Sequence, residues 1–594
     1  MQWEGTESAA AGDLLWAQGP RAPATSLFDG MDVEARAAFA ADLEWFSLPG
    51  GAVLFERNDS SDGFYIVLAG SLGVVAAESA DREGALPRIE SGETVGEIGM
   101  LTGFPRSATV VALRDTSLLR VSKAAFENLV RSHPTAVLRL LSQLAEWLQR
   151  PSLRSRALTS PKTLALVPFG SEAPLVTTAR SLAEALTAAG KNVVVADAAM
   201  VGHTEEAFHA VEAMNDLTVY QGDVSDAVWT QLCVRRADRI LVVANADAQP
   251  PHDLGIFDRM TQLSSRAFDL VLVQSAARRL PSPAVPWLMK LGVGFHCHVR
   301  FGSRADMARL ARYLVGQAVG IALSGGGARG CGHIGVIKAL REAGIPIDLV
   351  GGTSMGSIIA AGIALEWDDV ELRTRIRDAF VRSNPLSDYG FPFVSLTKGR
   401  KVARRLHEHF GDARAEDLWR PYFAVASNLT SGRIVVQQQG PLWRALKASV
   451  AIPGLMPPHI EAGEVLVDGA VMNNLPADIM RSLRRGPVIG VDVARYQNLR
   501  AIGDDEQTML RRWLFPRDQR DAPGIVNLLL RSAMVTSDAQ ARLCRSQSDL
   551  LLEPPLQDID MRDWKAIDRA IDAGYRYTAE QLRNQENVLG PLLR

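Results

Sequence analysis

The sequence has few cysteines, no long apolar run and no excess of either charge. Its four cysteines in 594 residues are scattered without a C-x-x-C pair, which excludes a disulfide framework and a zinc finger. No uncharged apolar stretch approaches the ~18–20 residues of a spanning helix, and the N-terminus lacks the pattern of a secretory signal. The net charge of -3 gives no reason to expect nucleic acid as a partner. We therefore expect a cytoplasmic protein, with any membrane contact peripheral at the inner membrane face.

The composition is that of a globular protein, with 47% hydrophobic and 22% charged residues. At ~100–200 residues per domain, the length predicts three to five domains. The pattern of apolar residues changes along the chain and predicts five segments. These are a flexible tail (1–26), a β-roll with helices (27–150), a linker (151–161), a parallel α/β domain (162–305) and a second α/β domain (319–594).

Four apolar residues at helical spacing end the second segment: Val137, Leu141, Leu144 and Leu148. Such a stripe most often packs into a core and less often forms the seam of a homodimer. In the last segment, Trp513, Leu514 and Phe515 stand beside arginines. They are a candidate membrane contact, although a buried loop anchor is the commoner explanation for such a group.

The middle α/β domain begins like a phosphate-binding unit, with the strand TLALVP followed by a loop. A P-loop frame would place Leu175 and Val176 where Gly and Lys belong, so both the phosphate cradle and its charge are missing. We interpret this domain as a linker or interaction module. Further along, His296 and His298 would share one strand face, but no additional metal ligands accompany them. We expect a packed strand there and no metal site.

A glycine-rich loop, Gly325 to Gly330, lies between the strand IALS and a helix. In this context backbone N–H groups can surround a negative oxygen at the positive end of the helix. The spacing also fits the dinucleotide fingerprint G-x-G-x-x-G, which requires an acidic residue at the end of the next strand. Asp348 begins that strand instead, and the strand ends in glycines. The dinucleotide interpretation is therefore disfavoured.

The next strand leads into a G-x-S-x-G motif formed by Gly352, Ser354 and Gly356, and an apolar helix follows. A strand, sharp turn and helix are the context of a nucleophile elbow, in which the serine oxygen projects from the turn. Chance occurrence of the motif is common, but the glycine loop 22 residues earlier makes a mere tight turn the less favoured explanation.

A serine nucleophile needs a base, and two candidates compete. The histidines that follow Ser354 all precede Asp468, so the order serine, acid, histidine of α/β-hydrolases is not available with that acid. A triad that uses His459 remains open but has no motif to support it. Asp468 ends the strand EVLVD and precedes a glycine, so it could reach the serine from another strand of the same parallel sheet. Taken alone, Asp468-Gly469 is an ordinary turn.

The three motifs GGGARG, GTSMG and DGA, in that order, resemble patatin-like phospholipases. The resemblance implies a Ser-Asp dyad of Ser354 as nucleophile and Asp468 as general base, with no cofactor required. It also implies an oxyanion hole, formed by Gly325, Gly326, Gly327 and Arg329. The segments ASNLTSGR, ASVAIPGLMPP and DLLLEPPL are similar to the neuropathy target esterase branch of this family. The implied substrate is an acyl ester of a phospholipid or lysophospholipid.

The segment GETVGEIGMLTGFPRSATVVA resembles the phosphate-binding cassette of cyclic nucleotide-binding domains. The resemblance implies cAMP or cGMP as an effector, bound by Gly96, Glu97, Arg106 and Ser107. A β-roll that keeps the cassette as a docking surface is the alternative.

Two functions remain in competition at this stage. The first is a serine acyl hydrolase of the phospholipase or lysophospholipase type, regulated by a cyclic nucleotide. The second is a nucleotide-sensing or scaffold protein with a residual hydrolase domain. Fatty acid release, measured with and without cyclic nucleotide, separates the two.

Overall fold

The structure is a computed structural model that describes residues 43–75, 88–90, 92–132, 161–170, 172–201, 205–252, 257, 268–291, 293–383, 387–391, 394–494 and 542–584. The predicted tail, the stripe Val137 to Leu148 and the cluster Trp513 to Phe515 lie outside these ranges, as does nearly all of the predicted linker. No helix in the described ranges is long and apolar enough to cross a membrane. The chain forms two compact units, Met1–Val271 with Trp287–Phe295, and Leu272–Pro286 with His296–Arg594.

The first unit opens with the predicted β-roll. Two antiparallel four-stranded sheets, in the orders β1-β8-β3-β6 and β2-β7-β4-β5, enclose a core that includes Val67, Leu72 and Leu118. The strands are β1 (Leu43–Leu48), β2 (Val53–Phe55), β3 (Gly63–Ala69), β4 (Ser71–Val75), β5 (Arg88–Glu90), β6 (Thr94–Val95), β7 (Thr109–Ala112) and β8 (Thr116–Ser122). The helices are α1 (Glu97–Thr102) and α2 (Lys123–Ser132).

The same unit continues into the predicted parallel α/β domain. Its strands are β9 (Thr163–Pro168), β10 (Val193–Ala196), β11 (Leu217–Gln221) and β12 (Arg239–Asn245), in the order β10-β11-β9-β12. Its helices are α3 (Leu175–Ala188), α4 (Ala198–Val201), α5 (Glu205–Met214) and α6 (Ala227–Arg236). Leu175 begins α3 with a buried side chain, and Val176 is exposed, so the helix that follows β9 starts without a lysine. Strands β13 (Phe268–Gln274) and β14 (Val293–Arg300), with helix α7 (Val285–Leu288), lie where the chain passes between the units.

The second unit is built on an eight-stranded sheet in the order β19-β20-β17-β16-β15-β21-β22, with β18 paired to β17. Its strands are β15 (Gly320–Leu323), β16 (Leu349–Thr353), β17 (Tyr422–Asn428), β18 (Arg433–Gln437), β19 (His459–Glu461), β20 (Glu464–Asp468), β21 (Val488–Val491) and β22 (Leu550–Leu552). The helices are α8 (Arg304–Val315), α9 (Gly332–Glu342), α10 (Met355–Ala364), α11 (Asp369–Ile376), α12 (Arg400–Phe410), α13 (Leu442–Ser449), α14 (Ala477–Ser482) and α15 (Ile567–Asn584).

The centre of this sheet is parallel, from β17 through β16 and β15 to β21 and β22. The core strand β15 and helix α10 are completely buried, which explains why both segments are almost uniformly apolar. Strand β20 runs antiparallel to β17. The expectation that Asp468 lies on another strand of a purely parallel sheet is therefore wrong in strand direction, because the sheet is mixed.

The two histidines of β14 are hydrogen-bonded to the same backbone carbonyl group in the second unit. Nε2 of His296 and Nε2 of His298 both lie 2.9 Å from the carbonyl oxygen of Glu416. Because one carbonyl oxygen accepts from both rings, each ring carries its proton on Nε2, and Nδ1 of His298 accepts from the Gln274 amide at 2.8 Å. Burial lowers the pKa of both histidines, so both stay neutral. The sequence predicted that the two histidines share one strand face. The hydrogen-bond partners of their side chains are a backbone carbonyl group and a side-chain amide.

Candidate active site

Ser354 lies in a sharp turn between β16 and α10. Its φ is +52°, which is strained for a residue with a side chain and is typical of a functional turn. The two flanking glycines are required by close backbone approach. A Cβ on Gly352 would lie 2.5 Å from the carbonyl carbon of Gly356, and a Cβ on Gly356 would lie 2.4 Å from the carbonyl oxygen of Leu323. The G-x-S-x-G pattern therefore has a steric cause here.

Strand register brings Asp468 to the level of Ser354. Thr353 pairs with Val425 in the parallel ladder, and the next residue of β17, Ala426, pairs with Asp468 in the antiparallel ladder. The hydroxyl of Ser354 donates to Oδ2 of Asp468 at 2.7 Å, and both residues are buried. The second carboxylate oxygen accepts the N–H of Ala470 at 2.9 Å. The fold thus brings together two residues that are 114 positions apart in the sequence.

The environment of Asp468 suits proton transfer. Burial raises the pKa of this carboxyl to about 6, against the lowering effect of the hydrogen bonds from Ser354 and Ala470. A carboxylate with a pKa near neutrality is a stronger base than an exposed one, and it is still ionised at pH 7.

No histidine in the described ranges makes a hydrogen bond with Ser354. His459 lies on β19, and its Nε2 lies 4.0 Å from the Glu461 carboxylate. His407 and His409 lie on α12. His333 is the buried histidine closest to Ser354 in sequence. Its Nε2 is hydrogen-bonded to the carbonyl oxygen of Ser324 at 2.8 Å, and burial lowers its pKa to about 4. The geometry gives no support to a triad.

The glycine loop brings backbone donors to the nucleophile. A Cβ on Gly325 would lie 3.0 Å from the Cβ of Ser354, so the two turns are in contact. The N–H of Gly325 is used by the Asn474 carbonyl oxygen, and that of Arg329 by the Gly326 carbonyl oxygen. The N–H groups of Gly326 and Gly327 make no hydrogen bond with the described part of the chain. These two groups are the donors available to an oxyanion.

Arg329 has a different position from the one expected for an oxyanion donor. Its Nε donates to the carbonyl oxygen of Ile559 at 2.7 Å, and a second nitrogen reaches the Gln557 carbonyl oxygen at 3.5 Å. With its N–H also engaged, Arg329 fastens the glycine loop to the segment before α15.

Two supporting residues were not identified from the sequence. The hydroxyl of Ser449, at the end of α13, accepts the N–H of Ser354 at 2.9 Å. Asn474 follows Asp468 by six residues, and its backbone carbonyl oxygen accepts the N–H of Gly325. The side-chain Oδ1 of Asn474 is buried and has no partner among the described residues. Ser449 lies in ASVAIPGLMPP and Asn474 in the VMNNLP segment after the DGA motif, but no spacing rule predicts either contact.

Arg106 lies in the predicted nucleotide cassette of the β-roll, and its side chain is buried. One terminal nitrogen donates to the Gly96 carbonyl oxygen at 2.9 Å, and the other donates to the Gly63 carbonyl oxygen at 2.8 Å. The guanidinium also lies 4.3 Å from the ring centre of Phe55. Arg106 thus holds the cassette together, and its terminal nitrogens are engaged with backbone.

The other cassette residues surround this arginine. Gly96 caps the N-terminus of α1 with a φ of +87°. Glu97 is buried; one carboxylate oxygen has no partner among the described residues, and burial raises its pKa. Ser107 is exposed next to Arg106. A hydrogen bond therefore connects Arg106 to the turn of Gly96 and Glu97, with Ser107 next to Arg106 in sequence, and one acceptor of Glu97 is left open.

Comparison with protein families divides the chain into three matched regions. The model of the cyclic nucleotide-binding domain matches residues 45–133, the model of the neuropathy target esterase family P-loop like domain matches 160–317, and that of patatin-like phospholipase matches 321–481. The P-loop like match falls on the domain in which Leu175 and Val176 replace the Gly and Lys of a P-loop.

Curated relatives align with nearly the whole chain. Patatin-like phospholipase domain-containing protein 6 of Homo sapiens is 32% identical over 90% of this chain and 44% of its own length. Neuropathy target esterase sws of Drosophila melanogaster is 30% identical, with 90% and 42% covered. Lysophospholipase nte1 of Neurospora crassa is 28% identical, with 93% and 43% covered. The chain spans less than half the length of these relatives.

Two solved structures are similar to a part of the chain. A cyclic nucleotide-binding domain from Methylobacillus flagellatus is 22% identical, covers 25% of this chain and 82% of its own, and has a TM-score of 0.22. The catabolite activator protein of Thermus thermophilus is 24% identical, covers 27% of this chain and 68% of its own, and has a TM-score of 0.20. The predicted order of a β-roll, a parallel α/β domain and a patatin-like domain is confirmed by the fold and the family matches. The chain is therefore similar over 90% of its length to patatin-like phospholipases of the neuropathy target esterase branch, with a cyclic nucleotide-binding domain before its patatin-like domain.

Proposed function

We propose that this protein is a serine acyl hydrolase that cleaves acyl esters of phospholipids or lysophospholipids, with Ser354 as nucleophile and Asp468 as general base. The observation that carries the proposal is the 2.7 Å hydrogen bond from the strained Ser354 to the buried Asp468. The similarity to a lysophospholipase of Neurospora crassa supports the substrate class.

The first half-reaction is acyl transfer to the enzyme. Asp468 accepts the hydroxyl proton of Ser354 as the serine oxygen attacks the ester carbonyl carbon. The carbonyl oxygen becomes an oxyanion, and the N–H groups of Gly326 and Gly327 are the donors available to it; one such donor contributes ~10²–10³ in rate. Asp468 then returns the proton to the leaving alcohol oxygen as the carbon–oxygen bond of the ester breaks.

The second half-reaction repeats the same proton path with water. Asp468 removes a proton from a water molecule, whose oxygen attacks the acyl carbon on Ser354. The second tetrahedral intermediate collapses, the proton passes to the Ser354 oxygen, and the fatty acid leaves. A carboxylate alone can serve both steps because its raised pKa lets it hold the proton for the lifetime of each intermediate.

Substitution of the two residues tests this assignment. We expect Ser354→Ala and Asp468→Asn each to lower kcat on lysophosphatidylcholine and on p-nitrophenyl butyrate by at least about 10³-fold. Ser357→Ala is the matched control, since Ser357 is a buried serine one turn away whose hydroxyl donates to the Ser354 carbonyl oxygen. Full activity in either folded variant would exclude the dyad. No turnover by the wild type, together with tight nucleotide binding, would favour the sensor or scaffold function.

We also propose that a cyclic nucleotide is the effector of the β-roll. The open, buried acceptor of Glu97 fits a ribose hydroxyl donor, and Ser107, the residue predicted to contact the phosphate, is exposed. The Arg106 guanidinium has N–H groups beyond its two hydrogen bonds to the Gly96 and Gly63 carbonyl oxygens, and these are the donors proposed for the phosphate. Calorimetry with cAMP and with cGMP on the wild type and Glu97→Gln tests the site, and esterase rates with and without the bound nucleotide test regulation. Absence of heat from both nucleotides would remove the proposal.

A further inference from the structure

Four exposed apolar side chains lie in one short hairpin before α12. We name residues 387–391 and 394–398 the apolar hairpin. Its stem is antiparallel: Tyr389 pairs with Thr397, the N–H of Gly390 donates to Leu396, and the N–H of Lys398 donates to Asp388. The exposed residues are Tyr389 (73%), Phe391 (78%), Val394 (68%) and Leu396 (37%). An apolar group of this size at one exposed turn marks an interaction surface.

The hairpin is bound to a segment that also holds the catalytic pair. We name residues 449–455 the bridging segment. At one end, the Ser449 hydroxyl accepts the N–H of Ser354, and the Ala451 carbonyl oxygen accepts the N–H of Asp468 at 2.9 Å. At the other end, the carbonyl oxygens of Gly454 and Leu455 accept the N–H groups of Leu396 and Thr397, at 2.9 and 3.0 Å. One short stretch of backbone therefore fixes the exposed hairpin relative to the site of ester cleavage.

The charge around the hairpin is positive although the chain as a whole is negative. Residues 387–405 contain five basic residues and one acid, Asp388. Arg404 and Arg405 are paired with Glu408. Lys398 and Arg400 are exposed and form no ion pair with the described part of the chain. Lys398 lies in the hairpin stem and Arg400 follows it by two residues, at the start of α12.

We propose that the apolar hairpin docks the hydrolase on an anionic lipid bilayer, with its apolar side chains in the boundary between headgroups and acyl chains and Lys398 and Arg400 against anionic headgroups. The proposal rests on the proposed function, because a lipid ester is presented at such a surface. Aromatic and aliphatic side chains beside cations are the composition of interfacial anchors.

The size of the hairpin favours a lipid surface over a second copy of the chain. Four side chains offer on the order of 400–600 Å², since a large aromatic buries 150–250 Å². A stable protein dimer buries ~800 Å² on each partner. A bilayer sets no such minimum, because each inserted apolar group contributes independently and the cations add to it.

Vesicle sedimentation tests the proposal in the Ser354→Ala background, which leaves the lipid intact. The vesicles contain phosphatidylcholine alone or with about 30% phosphatidylglycerol. We expect the triple variant Tyr389→Ser, Phe391→Ser, Val394→Ser to lose at least about tenfold in binding to the anionic vesicles. The matched control replaces three equally exposed apolar residues elsewhere, Met214, Val228 and Val370, by serine and should bind like the parent. Equal binding by both triple variants, or no binding by the parent, would overturn the proposal.

A charge variant provides an independent measurement. Lys398→Gln with Arg400→Gln should weaken binding to anionic vesicles several-fold and leave binding to phosphatidylcholine unchanged, and high salt should reproduce this loss in the parent. A parent that is dimeric in light scattering, with a monomeric hairpin variant and no vesicle effect, would assign the surface to self-association and overturn the proposal. Loss of charge dependence would overturn the anionic specificity.

Two assays separate this proposal from the proposed function. With Ser354 restored, the hairpin variant should hydrolyse soluble p-nitrophenyl butyrate at the wild-type rate and vesicle-embedded lysophosphatidylcholine at least about tenfold more slowly. If both rates fall equally, the hairpin acts on the site itself and docking is excluded as its role. Failure of the proposed function would appear instead as undiminished turnover in Ser354→Ala, whatever the sedimentation shows.

Discussion

The N–H of Ser354 donates to the side-chain oxygen of Ser449 at 2.9 Å, so the backbone of the elbow is held by a hydroxyl from another helix. Ser449 is completely buried at the C-terminus of α13. An elbow residue at a φ of +52° needs such support, because the surrounding contacts must hold a conformation that the residue itself disfavours.

Removal of this acceptor should impair catalysis more than binding. Ser449→Ala leaves a buried N–H without a partner, which costs about 1–3 kcal/mol in the free energy of unfolding. We expect kcat on p-nitrophenyl butyrate to fall about tenfold with KM nearly unchanged, because the serine oxygen is displaced from its attack position. Ser357→Ala should show neither effect, since the Ser354 carbonyl oxygen keeps its backbone donors. A KM effect without loss of kcat would contradict the positioning role.

Gly327 provides a test of the oxyanion loop. Its φ is +56°, and an added Cβ would lie 2.4 Å from the carbonyl oxygen of Met561, so the loop must move to admit alanine. We expect Gly327→Ala to lower kcat by at least about 10²-fold, because the N–H donors shift away from the oxyanion. Steady-state kinetics on a soluble ester measures this loss.

The control for Gly327→Ala is Gly344→Ala at the end of α9. Gly344 has a similar φ of +73°, but a Cβ there meets nothing within 4 Å. This variant should lose about 1–2 kcal/mol in the free energy of unfolding, the cost of a side chain in the left-handed region, and keep its kcat. If both variants lose activity equally, general destabilisation explains the result and the loop assignment fails.

Much of the fold was accessible from the sequence because local patterns determine it. Buried parallel strands appear as unbroken apolar runs, and G-x-S-x-G predicted an elbow whose glycines prove to be sterically required. The partner of Ser354 could only be proposed from the resemblance, since Asp468-Gly469 alone is an ordinary turn. Register through β17 places the two residues at one level, and register across a mixed sheet has no local signal.

The supporting contacts were not accessible for a related reason. Ser449, Asn474 and the Ile559 carbonyl oxygen reach the site from distant segments, and each acts through one hydrogen bond that any similar residue could make. Arg329 illustrates the difference between motif and geometry. Its place in the glycine loop suggested an oxyanion donor, whereas its side chain fastens the loop to the segment before α15.

Arg106 should stabilise the β-roll even without nucleotide. Arg106→Ala removes two donors from the Gly63 and Gly96 carbonyl oxygens and its packing on Phe55. We expect faster amide hydrogen exchange in β3 and α1 of the ligand-free protein, equivalent to a local loss of about 2–3 kcal/mol. Arg106→Lys should show a smaller change. Unchanged exchange in Arg106→Ala would mean that the arginine is available for phosphate at no structural cost.

Asp468 should carry a stability cost that depends on pH. Its pKa is raised from 3.8 in the unfolded chain to about 6 in the fold. Between these values the native state holds a proton that the unfolded state has lost, so the free energy of unfolding falls as pH rises through this window. Above pH 6 the cost is constant, at about 2–3 kcal/mol.

Asp468→Asn removes this titration and keeps the hydrogen bonds, because the amide can accept from the Ala470 N–H and donate to the Ser354 oxygen. We expect the inactive variant to be more stable than the wild type at pH 8, by up to about 2–3 kcal/mol, and the two to converge near pH 4. The contributions of all other titrating groups to the free energy of unfolding are the same in both proteins and cancel in this comparison.

Over the same range, kcat/KM of the wild type should rise with pH about an inflection near 6, as the base ionises. Thermal unfolding of both proteins at each pH measures the difference, and a constant gap from pH 4 to 8 would show that Asp468 is not the titrating group.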